Sequence, residues 1–145
     1  MKVFLGSDHA GFALKEVLEA ALGELGHEAV DLGAHSTESV DYPDFGHRVA
    51  EAVLENEGSV GVLVCGSGIG ISMSANRHAG IRAALCHEPW SAEMARRHND
   101  ANVLCMGERV IGQGLARAVL EAFLAAEFEG GRHARRVGKI ELSGE

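Results

Sequence analysis

The sequence has few of the residues that build disulfide-rich, proline-rich or membrane-spanning proteins. It contains three cysteines and two prolines among 145 residues, and its aromatic content is 5%. An odd number of cysteines without paired spacing argues against a disulfide framework and favours a reducing, cytoplasmic compartment. No apolar run approaches the roughly 20 residues that a membrane span needs. The N-terminal stretch turns polar at Ser7, so we expect no signal peptide.

Positive charge is also scarce. The chain has 13 Lys and Arg against 21 Asp and Glu, a formal net charge of −8. An acidic chain is a poor general binder of nucleic acid or anionic membranes, and we expect neither as a partner. The hydrophobic content of 46% excludes disorder. The length fits a single domain spanning residues 1–145.

Short apolar runs alternate along the chain with segments whose apolar residues recur at helical spacing. The predicted strands are residues 3–6, 29–32, 60–65, 81–86 and 103–106. The predicted helices are residues 14–25, 43–58, a stretch after the loop 66–70 that ends near Gly80, residues 89–97 and residues 112–127. This alternation predicts an α/β fold, a three-layer α/β/α Rossmann-like domain with a five-stranded parallel sheet. A basic C-terminal segment, residues 130–145, follows the last helix.

Open parallel sheets bind their ligands at the carboxyl ends of the strands. The residues that directly follow the predicted strands are Asp8 and His9, the loop that begins at Cys65, His87, and the stretch past Met106. We therefore expect the functional site among these segments.

The loop consists of Gly66, Ser67, Gly68, Ile69 and Gly70. Glycines let backbone N–H groups approach an anion, and the N-terminus of the following helix adds a favourable dipole. The pattern lacks the small residue that a dinucleotide fingerprint needs at Ile71 and has no G-K-[ST] sequence of a P-loop. Two interpretations remain open, an anion-binding loop and a tight strand–helix turn.

Cys65 stands directly before this loop, where amide donors favour the thiolate form of a cysteine. By itself the position fits a reactive and a structural thiol equally well. Cys86 and Cys105 lie at strand ends without such a loop, and we expect both to be small buried apolar residues.

The eight histidines show no H-E-x-x-H spacing, and no C-x-x-C pair occurs, so no metal site is predicted. Asp8 and His9 reach the ligand edge, although Asp8 also fits an N-cap of the next helix. His98 lies in a polar run with Asn99, where it fits either a general acid or base or an ordinary surface histidine.

Basic residues concentrate near the C-terminus. Arg132 and Arg136 are spaced i and i+4, which places them on one side of a helix. They fit either a solvated basic face or a fork for a phosphate group, which Arg109 after the fifth strand would join.

Five segments in this order resemble ribose-5-phosphate isomerase of type B, within a family that also holds allose- and galactose-6-phosphate isomerases. They are residues 6–12, 41–43, 65–70, 98–103 and 129–133. The resemblance spans residues 2–137. It implies a cofactor-free aldose–ketose isomerisation through a cis-enediolate in the pentose phosphate pathway.

The resemblance also implies roles for individual residues. Cys65 is similar to the base of the cysteine-type branch, Ser67 supplies a hydroxyl beside it, and Asp8 with His98 opens the furanose ring. The enediolate is held by the loop and assisted by Asn99. The residues implied to contact substrate elsewhere are Tyr42 as a wall over the sugar and, as a phosphate clamp, His9, Arg109, Arg132 and Arg136.

The family resemblance further implies a phosphorylated sugar as substrate and a homodimer, or a dimer of dimers, with sites shared between subunits. Three other functions stay open on the sequence alone. They are a six-carbon sugar-phosphate isomerase such as one for allose 6-phosphate, a non-catalytic phosphate- or nucleotide-binding module, and a redox-active thiol protein based on Cys65.

Overall fold

The computed structural model describes residues 1–142, so the last three positions of the basic C-terminal segment lie outside the described residues. The strands are β1 (Lys2–Ser7), β2 (Glu28–Asp31), β3 (Val60–Cys65), β4 (Ala83–Leu85) and β5 (Val103–Gly107). The helices are α1 (Phe12–Glu24), α2 (Tyr42–Glu55), α3 (Ile69–Ala75), α4 (Pro89–Asn99), α5 (Gln113–Ala125) and α6 (Arg132–Gly138). A short 3-10 turn (His9–Gly11) precedes α1.

The five strands form one parallel sheet in the order β2-β1-β3-β5-β4. All six positions of β3 are buried, as expected for a central strand covered on both faces. The chain leaves β1 toward β2 on one side and returns to β3 on the other. The switch point of the topology therefore lies between the carboxyl ends of β1 and β3, where such sheets bind ligands.

Two hydrophobic clusters cover the sheet, one on each face. The first joins β1, β3 and β5 to α1, α4 and α5, with Leu18, Ala95 and Phe123 among its buried residues. The second packs α2 and α3 on the opposite face through Val49 and Ile71. The predicted three-layer α/β/α architecture with a five-stranded parallel sheet is confirmed.

Several predicted boundaries are wrong. Helix α3 begins at Ile69, inside the predicted loop, and ends at Ala75 rather than near Gly80. Strand β4 covers only Ala83–Leu85. The side-chain amide of Asn76, the residue after α3, pairs with the backbone of Ala83. Its oxygen accepts from Ala83 N–H at 2.8 Å, and its nitrogen donates to the Ala83 carbonyl at 2.9 Å. This amide occupies the outer edge of β4, where no further strand pairs.

The basic C-terminal segment contains a helix, in agreement with the i, i+4 spacing of Arg132 and Arg136. Gly130 and Gly131 adopt positive φ angles of 69° and 56°, which glycine tolerates without a steric penalty. The chain then forms α6, which packs against α4. Within residues 1–142, none of the helices combines the length and the apolar character required to cross a bilayer.

A buried cation connects α1 to β2. The Lys15 side chain is fully buried, and its Nζ lies 2.7 Å from Asp31 Oδ2 and 3.2 Å from Glu16 Oε1. Burial, followed by the charge of Asp31, raises the pKa of the neighbouring Glu19 carboxyl. Because an isolated buried ammonium is costly, this pairing is required for the helix to dock on the sheet edge.

Candidate active site

A cleft of about 650 Å³ opens at the switch point, above the carboxyl ends of β1, β3 and β5. It is lined by Asp8, His9, Ala10, Tyr42, Cys65, Gly66, Ser67, Ile69, Gly70, Met73, Arg109 and Val110. Most of the residues that the sequence predicted for the site therefore lie together in one cleft. A second cavity of about 730 Å³ contains Asn99, next to Arg82 and the last described residues.

The glycine loop lies directly on the end of β5. A Cβ placed on Gly107 would be 2.6 Å from the carbonyl carbon and oxygen of Ser67, and one on Gly68 would be 2.8 Å from the carbonyl carbon of Met106. Gly68 also has a positive φ of 79°. Only glycines permit this backbone-on-backbone contact, and the tight-turn interpretation of the loop is therefore correct as far as its shape is concerned.

The loop brings amide donors to the thiol. Gly68 N–H donates to Cys65 Sγ at 3.1 Å, and Ile69 N–H donates to Ser67 Oγ at 3.2 Å. The amides of Gly66 and Ser67 have no hydrogen-bond partner among residues 1–142. A donor on sulfur stabilises its anionic form. The cleft therefore combines a thiol whose sulfur accepts a hydrogen bond from one amide with two amides available to an anion.

Asp8 has the capping role that the sequence left open and also lines the cleft. Its Oδ1 accepts hydrogen bonds from Ala10 N–H at 3.0 Å and Gly11 N–H at 3.1 Å. The residue is only 6% exposed. Because these bonds use one carboxylate oxygen, the second oxygen is free to act on a ligand.

His9 is held in one tautomer by the backbone. Its Nδ1 lies 3.1 Å from the N–H of Val40, which can only donate, so Nδ1 accepts and Nε2 carries the hydrogen. The imidazole therefore presents an N–H donor at the cleft, as an oxyanion ligand requires.

Tyr42 and Arg109 border the loop on two sides. A Cβ on Gly70 would lie 2.5 Å from Tyr42 Cε1, so the phenol ring covers this glycine. Arg109 Nη1 would lie 3.5 Å from a Cβ on Gly66. An aromatic wall and a guanidinium thus face each other across the amide donors.

Gly68, also predicted as a site residue, belongs to the loop but does not itself line the cleft. Four further predicted residues do not line it either: His98, Asn99, Arg132 and Arg136. Helix α4 begins just after β4 and runs back along the sheet, and its 11 residues span about 16 Å. His98 therefore lies toward the amino ends of the strands, whereas Cys65 lies at the carboxyl end of β3. Arg132 and Arg136 are on α6, which packs against α4. One chain thus divides the predicted site into two separate groups.

Around His98 the structure forms a compact polar cluster. The His98 and His133 rings stack with centroids 4.2 Å apart and planes inclined by 6°. Their Nε2 atoms lie 3.7 Å and 3.5 Å from Glu129 Oε1, while Glu129 Oε2 accepts from Arg97 at 2.7 Å. Burial, followed by the positive charges of His98 and Arg132, lowers the pKa of His133.

The cluster of His98, Glu129 and His133 has three potential metal-ligand atoms within 4.8 Å of one another. The in-plane lone pairs of two nearly parallel rings do not converge on one ion, and Arg97 already holds the carboxylate. The other acidic group, Glu16, Glu19 and Asp31, contains the Lys15 ammonium. Neither arrangement fits a resident metal ion.

Three cleft residues were not predicted: Ala10, Met73 and Val110. Met73 lies one helical turn after Ile69, so a helix that begins at Ile69 would have revealed it. Cys86 and Cys105 are buried, as expected. Burial, followed by the charge of Glu88, raises the pKa of Cys86 to about 11, and burial also raises the pKa of Cys105.

The parallel sheet, with a cleft at its switch point that contains a thiol and unpaired amides, places the chain among the α/β proteins that bind ligands at the carboxyl ends of their strands. Comparison with known proteins identifies its kind. The family model described as Ribose/Galactose Isomerase matches residues 3–140, and the chain belongs to this family. It is an aldose–ketose isomerase.

Individual relatives agree over nearly the whole chain. The chain is 50% identical to ribose-5-phosphate isomerase B of Escherichia coli over 96% of its length and 93% of the relative. The structure of ribose-5-phosphate isomerase B from Clostridium thermocellum superposes with a TM-score of 0.94 at 54% identity, covering 97% and 95% of the two chains. That of Mycoplasma genitalium, with bound ribulose 5-phosphate, superposes with a TM-score of 0.92 at 40% identity, covering 96% and 93%.

Proposed function

We propose that this protein interconverts D-ribose 5-phosphate and D-ribulose 5-phosphate through a cis-enediolate, with Cys65 as the base, as a step of the pentose phosphate pathway. The observation that carries this proposal is the Gly68 N–H bond to Cys65 Sγ at 3.1 Å, beside the unpaired amides of Gly66 and Ser67. Support for the substrate comes from the name of the E. coli relative and from the ribulose 5-phosphate bound to the M. genitalium protein.

The chemistry follows from the positions of these groups. The Cys65 thiolate removes the proton from C2 of the open-chain aldose, and the C1 carbonyl becomes an enediolate oxygen. The proton returns to C1 while the O2 proton moves to O1, which leaves a ketone at C2 and changes no net oxidation state. Amides of the loop stabilise the enediolate, and one such donor contributes about 10²–10³ in rate.

Mutation of the thiol tests this base. We expect Cys65→Ala to lower kcat by about 10²–10⁴-fold, the contribution of a general base, while ribose 5-phosphate still binds. Cys86→Ala is the matched control because Cys86 is buried outside the cleft, and its kcat should match wild type. Near-normal turnover by Cys65→Ala would show that another group is the base.

The substrate is tested with two sugars in the presence of a chelator. We expect rapid conversion of ribose 5-phosphate and slow conversion of allose 6-phosphate. Comparable rates would assign the protein to the six-carbon isomerases, and tight binding without conversion of either would assign it to phosphate-binding modules.

The division of the predicted residues leads to a second part of the proposal. The active enzyme is a homodimer or a dimer of dimers in which each site joins the cleft of one copy to His98, Asn99, Arg132 and Arg136 of a second. Ring opening then uses Asp8 and His98 of different copies. The cleft rim supports such packing, because Ile69, Met73 and Val110 are 48%, 64% and 55% exposed there.

Complementation between two inactive variants tests the shared site. In a dimer of one Cys65→Ala copy and one His98→Ala copy, one site regains both groups and the other has neither. Random mixing makes half of the dimers mixed, so we expect about a quarter of wild-type activity. If each chain formed a complete site, the mixture would stay inactive.

The phosphate would be bound by His9 and Arg109 of one copy and by Arg132 and Arg136 of the other. A bound phosphate supplies binding energy that orients the reacting carbons. The three free thiols support a reducing compartment, and we propose the cytoplasm.

A further inference from the structure

His87 lies just beyond the end of β4 and outside the cleft-lining residues. The last backbone hydrogen bond between this edge and β5 runs from Cys86 N–H to the carbonyl of Cys105 at 3.1 Å. The next N–H of β5 on the side of β4 is that of Gly107. It has no backbone partner there, because β4 has already ended. The His87 imidazole replaces that residue, and its Nε2 accepts from Gly107 N–H at 2.9 Å.

Gly107 is the residue on which the backbone of the glycine loop packs, and it thereby supports the loop. A Cβ at Gly107 would be 2.6 Å from the Ser67 carbonyl and 2.9 Å from the Gly66 oxygen. The next two residues continue the contact, since Glu108 N–H donates to Cys65 O at 3.0 Å and Arg109 N–H to Gly66 O at 3.1 Å. A shift of Gly107 therefore moves the loop amides and Arg109 together.

The hydrogen bond also determines the state of the ring. A backbone N–H can only donate, so Nε2 is unprotonated and Nδ1 carries the hydrogen. Burial lowers the pKa of His87, which favours the same neutral form.

We propose that His87 is a positioning residue for the isomerisation: by accepting from Gly107 N–H, it fixes the support on which the Gly66 and Ser67 amides face the substrate. The inference rests on the proposed function, because it assigns these amides to the enediolate. His87 does not line the cleft, so it acts through Gly107.

Three variants test the role of the acceptor. His87→Leu removes it, His87→Gln restores an acceptor at the same distance along the side chain, and His87→Asn carries one that is too short. A displacement of about 1 Å at a site costs up to about 10²-fold in rate. We expect His87→Leu and His87→Asn to lower kcat by about 10- to 10²-fold with a smaller change in KM, and His87→Gln to recover most of kcat.

Amide hydrogen exchange gives a readout that does not depend on the reaction. Exchange at Gly107 should accelerate in His87→Leu and return toward wild type in His87→Gln. Equal kcat in the Gln and Leu variants, or wild-type kcat in a folded Leu variant, would overturn the proposal; if Leu prevents folding, the Asn and Gln variants make the same comparison. If wild type converts no ribose 5-phosphate, the proposed function fails while the exchange result still tests the anchoring of Gly107.

Discussion

Gly107→Ala adds a single methyl group at the point where the glycine loop packs on β5. The added Cβ would lie 2.6 Å from the carbonyl of Ser67, whereas ordinary contact begins at 3.4 Å, so the loop must move by 3.4 − 2.6 = 0.8 Å. The atoms it meets belong to the backbone and cannot rotate away. We expect a displacement of this size at the proposed enediolate site to lower kcat by about 10²-fold, and overpacking to destabilise the fold by about 1–3 kcal/mol.

Steady-state isomerisation and urea unfolding measure the two effects of Gly107→Ala. The matched control is Gly114→Ala on α5, where no atom lies within 4 Å of the added Cβ. This control should keep wild-type kcat and gain about 0.5–1 kcal/mol of stability, because alanine favours the helix over glycine. Wild-type kcat in Gly107→Ala would refute the role assigned to the position of the loop.

Three further predictions concern different parts of the molecule. Lys15→Met should lower the free energy of unfolding, measured in urea, by about 2–3 kcal/mol. This loss is smaller than that of a fully buried ion pair, because the Asp31 side chain is 17% exposed. An unchanged free energy of unfolding would contradict the importance of this ion pair. Burial lowers the pKa of His87, so the unfolded chain binds more protons as the pH falls through 6.5, and stability falls with it. His87→Gln should flatten this slope in urea unfolding measured as a function of pH, and parallel slopes would argue against it. In Gly70→Ala the added methyl group meets the ring of Tyr42, which is 41% exposed and can rotate away, so stability should change little. KM should rise about fivefold, which corresponds to the loss of about one aromatic contact with the sugar. An unchanged KM would argue against a place for Tyr42 in the sugar site.

Local sequence patterns determined most of the elements and the core of the site. Strand β3 was predictable from its apolar run, and the cleft residues Asp8, Cys65 and Gly66 from their place at or directly after the end of a strand. Both signals depend only on neighbouring residues, since strand and helix periodicities are local and a parallel sheet always presents the same strand ends to its ligand.

Tertiary structure alone decided the rest. The insertion of β5 between β3 and β4 depends on packing that no periodicity records. The direction of α4 takes His98 away from Cys65, although both belong to one predicted set of site residues. The bond from Gly107 to His87 joins the end of β5 to the residue just beyond β4, and these two strands are adjacent only in the folded sheet. Pairing across the sheet is a long-range property, and it determines which residues of this chain lie together.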